Sequence, residues 1–342
     1  MICRIGESMV KYLDDYEKLN IVELYEETFH DDEEYCKFFY DRVIPKSEIL
    51  VDMDETKKIN SMITVIPKDV TLYKNNAKAV YLYGVATKSE LRKKGIMSEL
   101  LRRCIVDCSN KENVFVYLIP DSNENADYYK KFGFEYVMDR KIGKREEKIK
   151  KPSHTILQRH ANKTDAVRLS IFAQNNLKNN YGVFLTRTKE YYEYMCDFIK
   201  VEQGSIEILS KDKIILGYRI LVEDDIFEEI MEESIRQYSV LDSKTEPYAM
   251  ARIANVSKFM EYVSTKETGR VVIKLKDELI KENNGTFAWN FSASSKRWAK
   301  TDKIPDIEIN IADFTAYLLG YKKYKNLPEL NIGAGFYIND YL

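Results

Sequence analysis

The alternation of apolar and polar residues predicts a mixed succession of strands and helices, and its clearest stretch lies between residues 80 and 108. Residues 80–86 form an apolar run of β-branched and aromatic side chains, which is typical of a buried strand. After a turn at residues 87–90, apolar side chains recur at helical spacing from Ile96 to Ile105. This stretch therefore predicts a buried strand that leads directly into an amphipathic helix.

The pattern on either side of this stretch predicts further alternation of helices and strands. Before it we expect two helices and then two strands, at residues 16–29, 33–42, 48–52 and 61–67. After it we expect a short buried strand at 114–119 and a short helix that ends in Phe132-Gly133-Phe134. A charged segment at 140–152 ends in Pro152 and is typical of a solvated linker.

Two more groups of elements follow this linker. The first group is predicted to contain two helices, a hairpin of two strands with its turn at Lys211-Asp212, and an acidic helix. These elements lie at residues 166–177, 189–199, 205–210, 213–222 and 227–239. The second group is predicted to contain a strand, a helix, three more strands and a last helix, at residues 245–253, 256–263, 270–276, 287–291, 307–311 and 312–319. The apolar, aromatic segment 335–342 is expected to dock on the fold.

Composition narrows the class of protein. The 342 residues carry 53 Lys and Arg against 55 Asp and Glu, so a net charge of −2 gives no support to nucleic-acid binding. The five cysteines are scattered and there are three histidines, so we expect reduced thiols and no metal site. The N-terminus lacks the apolar core of a signal peptide, and no apolar run has transmembrane length. We therefore expect a cytoplasmic protein without a membrane role.

The residues between the strand and its helix predict a binding site for a pyrophosphate. Three cations, Arg92, Lys93 and Lys94, precede Gly95, and Ile96 and Met97 begin the helix. Glycine permits a close approach of the backbone, and the unpaired N–H groups at a helix start attract anions.

The segment Arg92-x-x-Gly95-x-Met97, after a strand that ends in Val85-Ala86-Thr87, resembles the acetyl-CoA motif of the GNAT N-acetyltransferases. The family has Gly or Ala where this chain has Met97, and this departure resembles the Eis (enhanced intracellular survival) branch. The resemblance implies a mixed α/β fold class with tandem GNAT folds, each a central mixed sheet flanked by helices, and then a sterol-carrier-like α+β domain. It implies domains at 1–145, 150–245 and 246–342, the second domain being degenerate because it lacks the loop.

The resemblance also implies a cosubstrate, acetyl-CoA, and roles for particular residues. Backbone groups of Val85, Ala86 and Thr87 would align the pantetheine arm, and residues 92–97 would hold the pyrophosphate. Tyr129, one turn before Phe132-Gly133-Phe134, would be the general acid for the leaving thiolate, with Tyr128 as the alternative. An ordinary packing role for Tyr129 is the other interpretation.

A base must accept the proton of the amine, and no histidine lies in the motif region. Glu90 and Glu124 are conventional candidates. In the Eis branch the base is the terminal carboxylate, which would belong to Leu342 here. A docked but chemically inert end of the chain is the alternative.

An acidic segment, Asp31, Asp32, Glu33 and Glu34, precedes an aromatic helix in the region that flanks the acceptor slot of GNAT folds. Carboxylates beside aromatic rings would suit a cationic amine. An acidic first helical turn, favoured by the helix dipole, explains the same residues.

These features predict an acetyl-CoA-dependent N-acetyltransferase that acts on the primary amine of a small cationic molecule, by direct attack in a ternary complex. By family analogy the acceptor is aminoglycoside-like, a polyamine or a lysine side chain. The resemblance further implies a homo-oligomer, a hexamer. The alternative from another class is a non-catalytic protein that senses acyl-CoA or binds lipid through the sterol-carrier-like domain.

Overall fold

The computed structural model describes residues 3–5, 8–111, 113–141, 155–222, 225–239, 241, 244–292 and 296–339. The strands are β1 Cys3–Ile5, β2 Ser8–Tyr12, β3 Glu48–Met53, β4 Ile59–Leu72, β5 Asn75–Thr87, β6 Phe115–Leu118, β7 Glu135–Lys141, β8 Leu157–His160, β9 Val183–Leu185, β10 Ser205–Lys211, β11 Ile214–Val222, β12 Asp225–Met231, β13 Thr245–Ile253, β14 Gly269–Lys276, β15 Gly285–Phe291, β16 Lys296–Lys300, β17 Ile307–Asn310 and β18 Phe336–Tyr337. The α-helices are α1 Val22–Phe29, α2 Glu33–Phe38, α3 Ile96–Asn110, α4 Asn123–Lys130, α5 Ala166–Asn180, α6 Lys189–Val201, α7 Val256–Met260 and α8 Ile311–Leu318.

A ten-stranded mixed sheet organises the molecule. Its main order is β1-β2-β3-β4-β5-β6-β13-β7, and β9 and β18 attach beside β4. The pair β5–β6 is parallel, whereas the other neighbours along this main order are antiparallel. Apolar side chains form one core beneath α3 and α4 and a second core on the opposite face, where α1 and α2 pack. The predicted mixed α/β class, with a central mixed sheet flanked by helices, is confirmed.

Several predicted helices differ at their ends from the observed ones. Residues 15–21 form a 3₁₀ helix before α1, and residues 39–43 form a π-helical turn after α2, so each predicted helix is two pieces. The helix before Phe132 begins at Asn123, where Ser122 accepts a hydrogen bond from the Asn125 N–H as its N-cap.

The strand β13 connects regions that the sequence analysis placed in different domains. Although it lies at the start of the predicted third domain, β13 is inserted between β6 and β7 of the large sheet. The division into 1–145, 150–245 and 246–342 remains a prediction. The strand order shows that any such units share main-chain hydrogen bonds across one sheet.

A second, four-stranded antiparallel sheet has the order β12-β11-β10-β8 and packs against α5 and α6. Its β10–β11 hairpin turns at Asp212 and Lys213, both at positive φ, one residue later than predicted. The segment that joins β7 to β8 falls largely on the predicted charged linker, and residues 142–154 of it lie outside the described part.

The acidic helix predicted for residues 227–239 is wrong. Residues 225–231 are strand β12, and a 3₁₀ helix at Glu233–Tyr238 follows it. The reason is tertiary: Glu228, 1% exposed, accepts from the Arg187 Nη2 at 2.6 Å, and Glu229 accepts from the Arg219 Nε at 2.7 Å. Because both arginines come from elsewhere in the fold, spacing along residues 227–239 gives no sign of them.

A third sheet, β16-β15-β14-β17, contains a parallel β14–β17 pair, and α7 and α8 pack near it. The end of the described chain docks as expected. Phe336 and Ile338 are buried, β18 pairs with β9, and Asn339 Nδ2 donates to the Phe227 carbonyl at 2.5 Å.

Among the described residues, no helix combines the length and the apolar character needed to cross a bilayer. The four cysteines whose side chains are described, Cys36, Cys104, Cys108 and Cys196, are buried free thiols, as predicted.

A buried ion pair joins the large sheet to the third sheet. Arg252 of β13 donates from Nη2 to both carboxylate oxygens of Asp277, each at 2.7 Å, and both side chains are 1% exposed. The Arg252 Nη1 also donates to the Phe132 carbonyl at 2.9 Å. Removing one member of such a pair leaves an uncompensated buried charge.

We therefore expect Asp277→Asn to lower the free energy of unfolding by about 3 kcal/mol or more. The midpoint of urea unfolding, followed by circular dichroism, measures the loss. The matched control is Glu329→Gln, which breaks the exposed Lys266–Glu329 pair and is expected to leave the midpoint unchanged. Equal midpoints for the two variants would contradict this role of the Arg252–Asp277 pair.

Candidate active site

The carboxyl-terminal end of β5 departs from regular strand geometry. Thr64 pairs with Tyr83 and Met62 pairs with Ala86, so Gly84 and Val85 together oppose the single residue Ile63. This two-against-one count is a β-bulge, and Gly84 adopts the left-handed φ of +56° that favours glycine. The bulge turns the end of β5 relative to the start of the strand.

Beyond the first part of β5, the neighbouring strand β6 diverges from it. Their parallel pairing is confined to Ala79–Phe115, Val80–Val116 and Tyr81–Tyr117. The Tyr81 and Tyr117 rings stack with centroids 4.9 Å apart at the end of this pairing. The β5 residues 82–87 then continue beside β4, and a notch opens between the carboxyl ends of β5 and β6.

The predicted loop leads from this notch into α3. Gly95 is the N-cap of α3 at φ +88°, and Lys93 also has a positive φ of +63°. A Cβ at Gly95 would meet no atom within 4 Å, so it is the backbone conformation that requires glycine here. The helix α3 therefore starts at a residue with open space beside it.

Three cationic residues directly precede the N-cap of α3. Arg92, Lys93 and Lys94 are exposed, and none of them forms an ion pair within the described residues. Arg92 Nε donates to the Thr87 carbonyl at 3.2 Å, and this bond draws the loop back onto the end of β5. Ile96 and Met97 are half-buried and pack against the core beneath α3. A polyanion at this position would lie near three positively charged residues.

The end of β5 is fixed by side-chain hydroxyls. Ser61 Oγ on β4 donates to the Ala86 carbonyl at 2.9 Å and lies 2.8 Å from the Thr87 Oγ1. Val85 is half-buried and packs on the α3 side, while Ala86 faces the opposite core. The bulge thus determines which face each of these two residues presents.

Tyr129 lies on α4, which follows β6, and packs against Phe134 and Tyr128 with ring centroids 6.0 and 5.8 Å away. Its side chain is 9% exposed, and burial, aided by the charge of Asp121, raises the pKa of the phenol above its usual value. Within the described residues its hydroxyl has no hydrogen-bond partner.

Tyr128, the alternative acid, is already engaged. Its hydroxyl lies 3.0 Å from the Ser98 Oγ in the first turn of α3, so α3 and α4 contact each other beside the notch. Burial raises the pKa of Tyr128, and the Ser98 hydrogen bond opposes that shift.

The turn after α4 contains Gly133 at φ +81°. The Arg252 guanidinium occupies the space that a Cβ would take, so only glycine fits. Because Arg252 also holds the Phe132 carbonyl, β13 fixes the end of the helix that carries Tyr129.

The four acidic residues 31–34 make different contacts in the structure. Asp32 caps α2 by accepting from the Tyr35 N–H at 2.8 Å, which fits the alternative of an acidic helix start. Asp31 accepts from the Tyr25 hydroxyl at 2.8 Å. Glu33 and Glu34 are exposed in the first turn of α2.

Sequence reasoning missed a cluster of tyrosines beside the β5 bulge. Tyr25, Tyr35 and Tyr83 come from α1, α2 and β5 and bring their hydroxyls together. The only signal for it was the aromatic content of the two predicted helices, because contacts between residues 48 and 58 positions apart leave no local pattern.

The predicted base at Leu342 lies outside the described residues, and Asn339 is the last residue before that gap. Glu90 and Glu124, the conventional alternatives, are both exposed. Among the described residues, no group of three or more His, Cys, Asp or Glu side chains is placed to hold a metal ion.

Comparisons with known proteins agree with this geometry. Residues 9–137 match the family of the acetyltransferase (GNAT) domain, and residues 256–332 match the sterol carrier protein domain. None of the curated proteins matches the chain in sequence.

Solved structures share the fold over most of the chain. A conserved protein of unknown function from Enterococcus faecalis V583, described as a probable N-acyltransferase, is 15% identical, with a TM-score of 0.77 over 98% of this chain and 100% of that one. A GCN5-related N-acetyltransferase from Anabaena variabilis is 14% identical, with a TM-score of 0.71 over 90% and 89%. Eis1 from Mycobacterium abscessus is 11% identical, with a TM-score of 0.67 over 92% and 89%.

The notch, the glycine-capped loop and the family match lie in the same part of the chain. Residues 9–137 therefore form an acetyltransferase domain of the GNAT type, residues 256–332 form a sterol carrier protein domain, and the protein is an enzyme of the acetyltransferase class.

Proposed function

We propose that this protein transfers an acetyl group from acetyl-CoA to a primary amine of a small cationic acceptor, by direct attack in a ternary complex. The observation that carries the proposal is the notch between β5 and β6, with the cationic loop in the connection after β5 and Tyr129 in the helix after β6. The acetyltransferase family match over residues 9–137 supports the same conclusion.

The loop 92–97 is proposed to hold the pyrophosphate of the cosubstrate. The N–H groups at the start of α3 donate to the phosphate oxygens, and the exposed side chains of Lys93 and Lys94 neutralise their charge. The pantetheine arm then follows Val85, Ala86 and Thr87 into the notch, where backbone N–H groups polarise the thioester carbonyl. Holding both reactants in this position supplies much of the rate by proximity.

Tyr129 is proposed as the general acid. Its buried phenol stays protonated at neutral pH because burial raises its pKa, and its hydroxyl is not engaged by another described group. A thiolate leaving group of pKa about 8.5 therefore meets a proton donor when the carbon–sulfur bond breaks.

The finer assignment to the Eis type is also a proposal. It is supported by the likeness to Eis1 over 92% of this chain and by the sterol carrier protein domain at residues 256–332. A homo-oligomer, a cytoplasmic location and a carboxylate base at Leu342 are what the Eis-type assignment would carry with it.

The decisive experiment compares acetyl transfer by the wild-type protein, Tyr129→Phe and Tyr128→Phe, using release of CoA with a panel of amines. We expect Tyr129→Phe to lower kcat by about 10²-fold or more, because it removes the proton donor. The dissociation constant of CoA should change less than threefold, because the loop is untouched.

Tyr128→Phe is the matched control, since it removes one hydroxyl from the neighbouring position and is expected to have the smaller effect on kcat. Reversed effects would reassign the acid to Tyr128. A wild-type protein that binds CoA without turnover on any amine would favour the non-catalytic alternative of acyl-CoA sensing or lipid binding.

A second experiment tests the charge of the acceptor. Glu33 and Glu34 are exposed and Asp32 supplies the cap of α2, so Glu33→Gln with Glu34→Gln removes two charges and keeps the capping hydrogen bond. We expect KM for a polyamine to rise several-fold, with an unchanged KM for acetyl-CoA, because attraction of the cation is lost.

The control is Glu23→Gln with Glu27→Gln on α1, which removes the same net charge from exposed positions of the adjacent helix. Equal KM values in the two double variants would show that residues 33 and 34 have no specific part in acceptor binding.

A further inference from the structure

Three tyrosines connect the β5 bulge to the protein surface through their hydroxyls. The Tyr35 and Tyr83 oxygens lie 2.7 Å apart, and the Tyr83 and Tyr25 oxygens lie 3.3 Å apart. The Tyr25 hydroxyl donates to the Asp31 Oδ2 at 2.8 Å, and Asp31 is exposed. The sequence of hydroxyls therefore ends on a carboxylate in contact with water.

The direction of every hydrogen bond in this series is fixed by counting protons. A phenol has one hydrogen to donate. Tyr25 gives its hydrogen to the Asp31 carboxylate, so Tyr83 must donate to Tyr25. The hydrogen of Tyr83 is then occupied, so Tyr35 must donate to Tyr83. All three hydrogens point towards Asp31, which is the arrangement that a proton relay to the surface needs.

The hydroxyls are neutral donors and acceptors at neutral pH. Burial is the main cause that raises the pKa of Tyr25, Tyr35 and Tyr83. For Tyr83 the hydrogen bonds with Tyr25 and Tyr35 oppose this shift, and the charges of Asp31 and Glu202 add to it. None of the three phenols ionises at neutral pH. Each can therefore give up its proton only as it accepts another proton.

Tyr83 has the position of an entry point. It is half-buried and lies on β5 directly before the bulge at Gly84 and Val85. The centroid of its ring lies 5.9 Å from that of Tyr81, which is the last residue of β5 that pairs with β6. One lone pair of the Tyr83 oxygen remains after it accepts from Tyr35.

We propose that Tyr83, Tyr25 and Asp31 form the relay that removes the proton from the acceptor nitrogen, in place of the Leu342 carboxylate that the Eis-type assignment would supply. This inference rests on the proposed acetyl transfer. The N–H bond of the attacking nitrogen breaks towards the Tyr83 oxygen as the Tyr83 proton moves to Tyr25 and the Tyr25 proton moves to Asp31. Each phenol ends neutral, Asp31 becomes a carboxyl group, and water then takes its proton.

Tyr35 acts differently, as a positioning residue. By donating to the Tyr83 oxygen it leaves the Tyr83 hydrogen directed to Tyr25. The relay is thereby kept in the orientation that accepts a proton from the substrate side.

The test measures kcat and KM for Tyr83→Phe and Asp31→Asn. Asp31→Asn still accepts the Tyr25 hydrogen bond but cannot take up a proton, so the local structure is retained while the relay is blocked. We expect each variant to lower kcat by about 10²-fold with an unchanged KM for acetyl-CoA. Added imidazole should partly restore kcat in Asp31→Asn, because the end of the relay is open to solvent.

Tyr40→Phe is the matched control. Tyr40 also packs on Tyr25, at 5.9 Å between ring centroids, but its hydroxyl donates to Glu26 at 3.3 Å, outside the relay. We expect its kcat to stay within twofold of wild type.

The possible results distinguish a failure of the proposed relay from a failure of the proposed acetyl transfer. A kcat within twofold of wild type in both relay variants, while Tyr129→Phe loses activity, overturns the relay alone. A loss of kcat that imidazole does not restore in Asp31→Asn assigns a structural role and also overturns it. Absence of acetyl transfer by the wild-type protein overturns the proposed function and the relay with it.

Discussion

The short pairing between β5 and β6 is the constraint on which the site depends. Parallel strands that stayed paired to their ends would leave no space between their carboxyl termini. Here the ladder ends at Tyr81 and Tyr117, and the bulge at Gly84 and Val85 turns the remainder of β5 away. In chain order, Tyr83 lies before the bulge, the cationic loop follows the end of β5, and Tyr129 lies in the helix that follows β6.

The sheet that contains this notch is supported from distant parts of the chain. β13 supplies the strand between β6 and β7, and its Arg252 holds both Asp277 and the Phe132 carbonyl beside the Tyr129 helix. We therefore expect a substitution at residue 277 to affect the end of α4, because the buried Arg252 guanidinium contacts both. The three predicted domains are in this respect parts of one hydrogen-bonded framework, whatever their exact boundaries.

Local features were predictable from the sequence and long-range ones were not. The strand, the turn and α3 follow from apolar spacing and from Gly95, because each depends on residues within a few positions. The β12 strand was mistaken for a helix because its glutamates bind Arg187 and Arg219, which come from other elements. The tyrosine relay and the insertion of β13 likewise depend on contacts that span tens to more than a hundred residues.

Titration calorimetry of CoA tests the central claim most directly, with wild-type protein compared with a variant carrying Lys93→Glu and Lys94→Glu. If the loop holds the pyrophosphate, the wild type binds one CoA per chain and the variant binds at least about tenfold more weakly, since charge-assisted hydrogen bonds contribute about 1.5–3 kcal/mol each. Thermal unfolding of the two proteins should coincide, because both side chains are exposed. No heat of binding in the wild type, or equal affinity in the variant, would contradict the account.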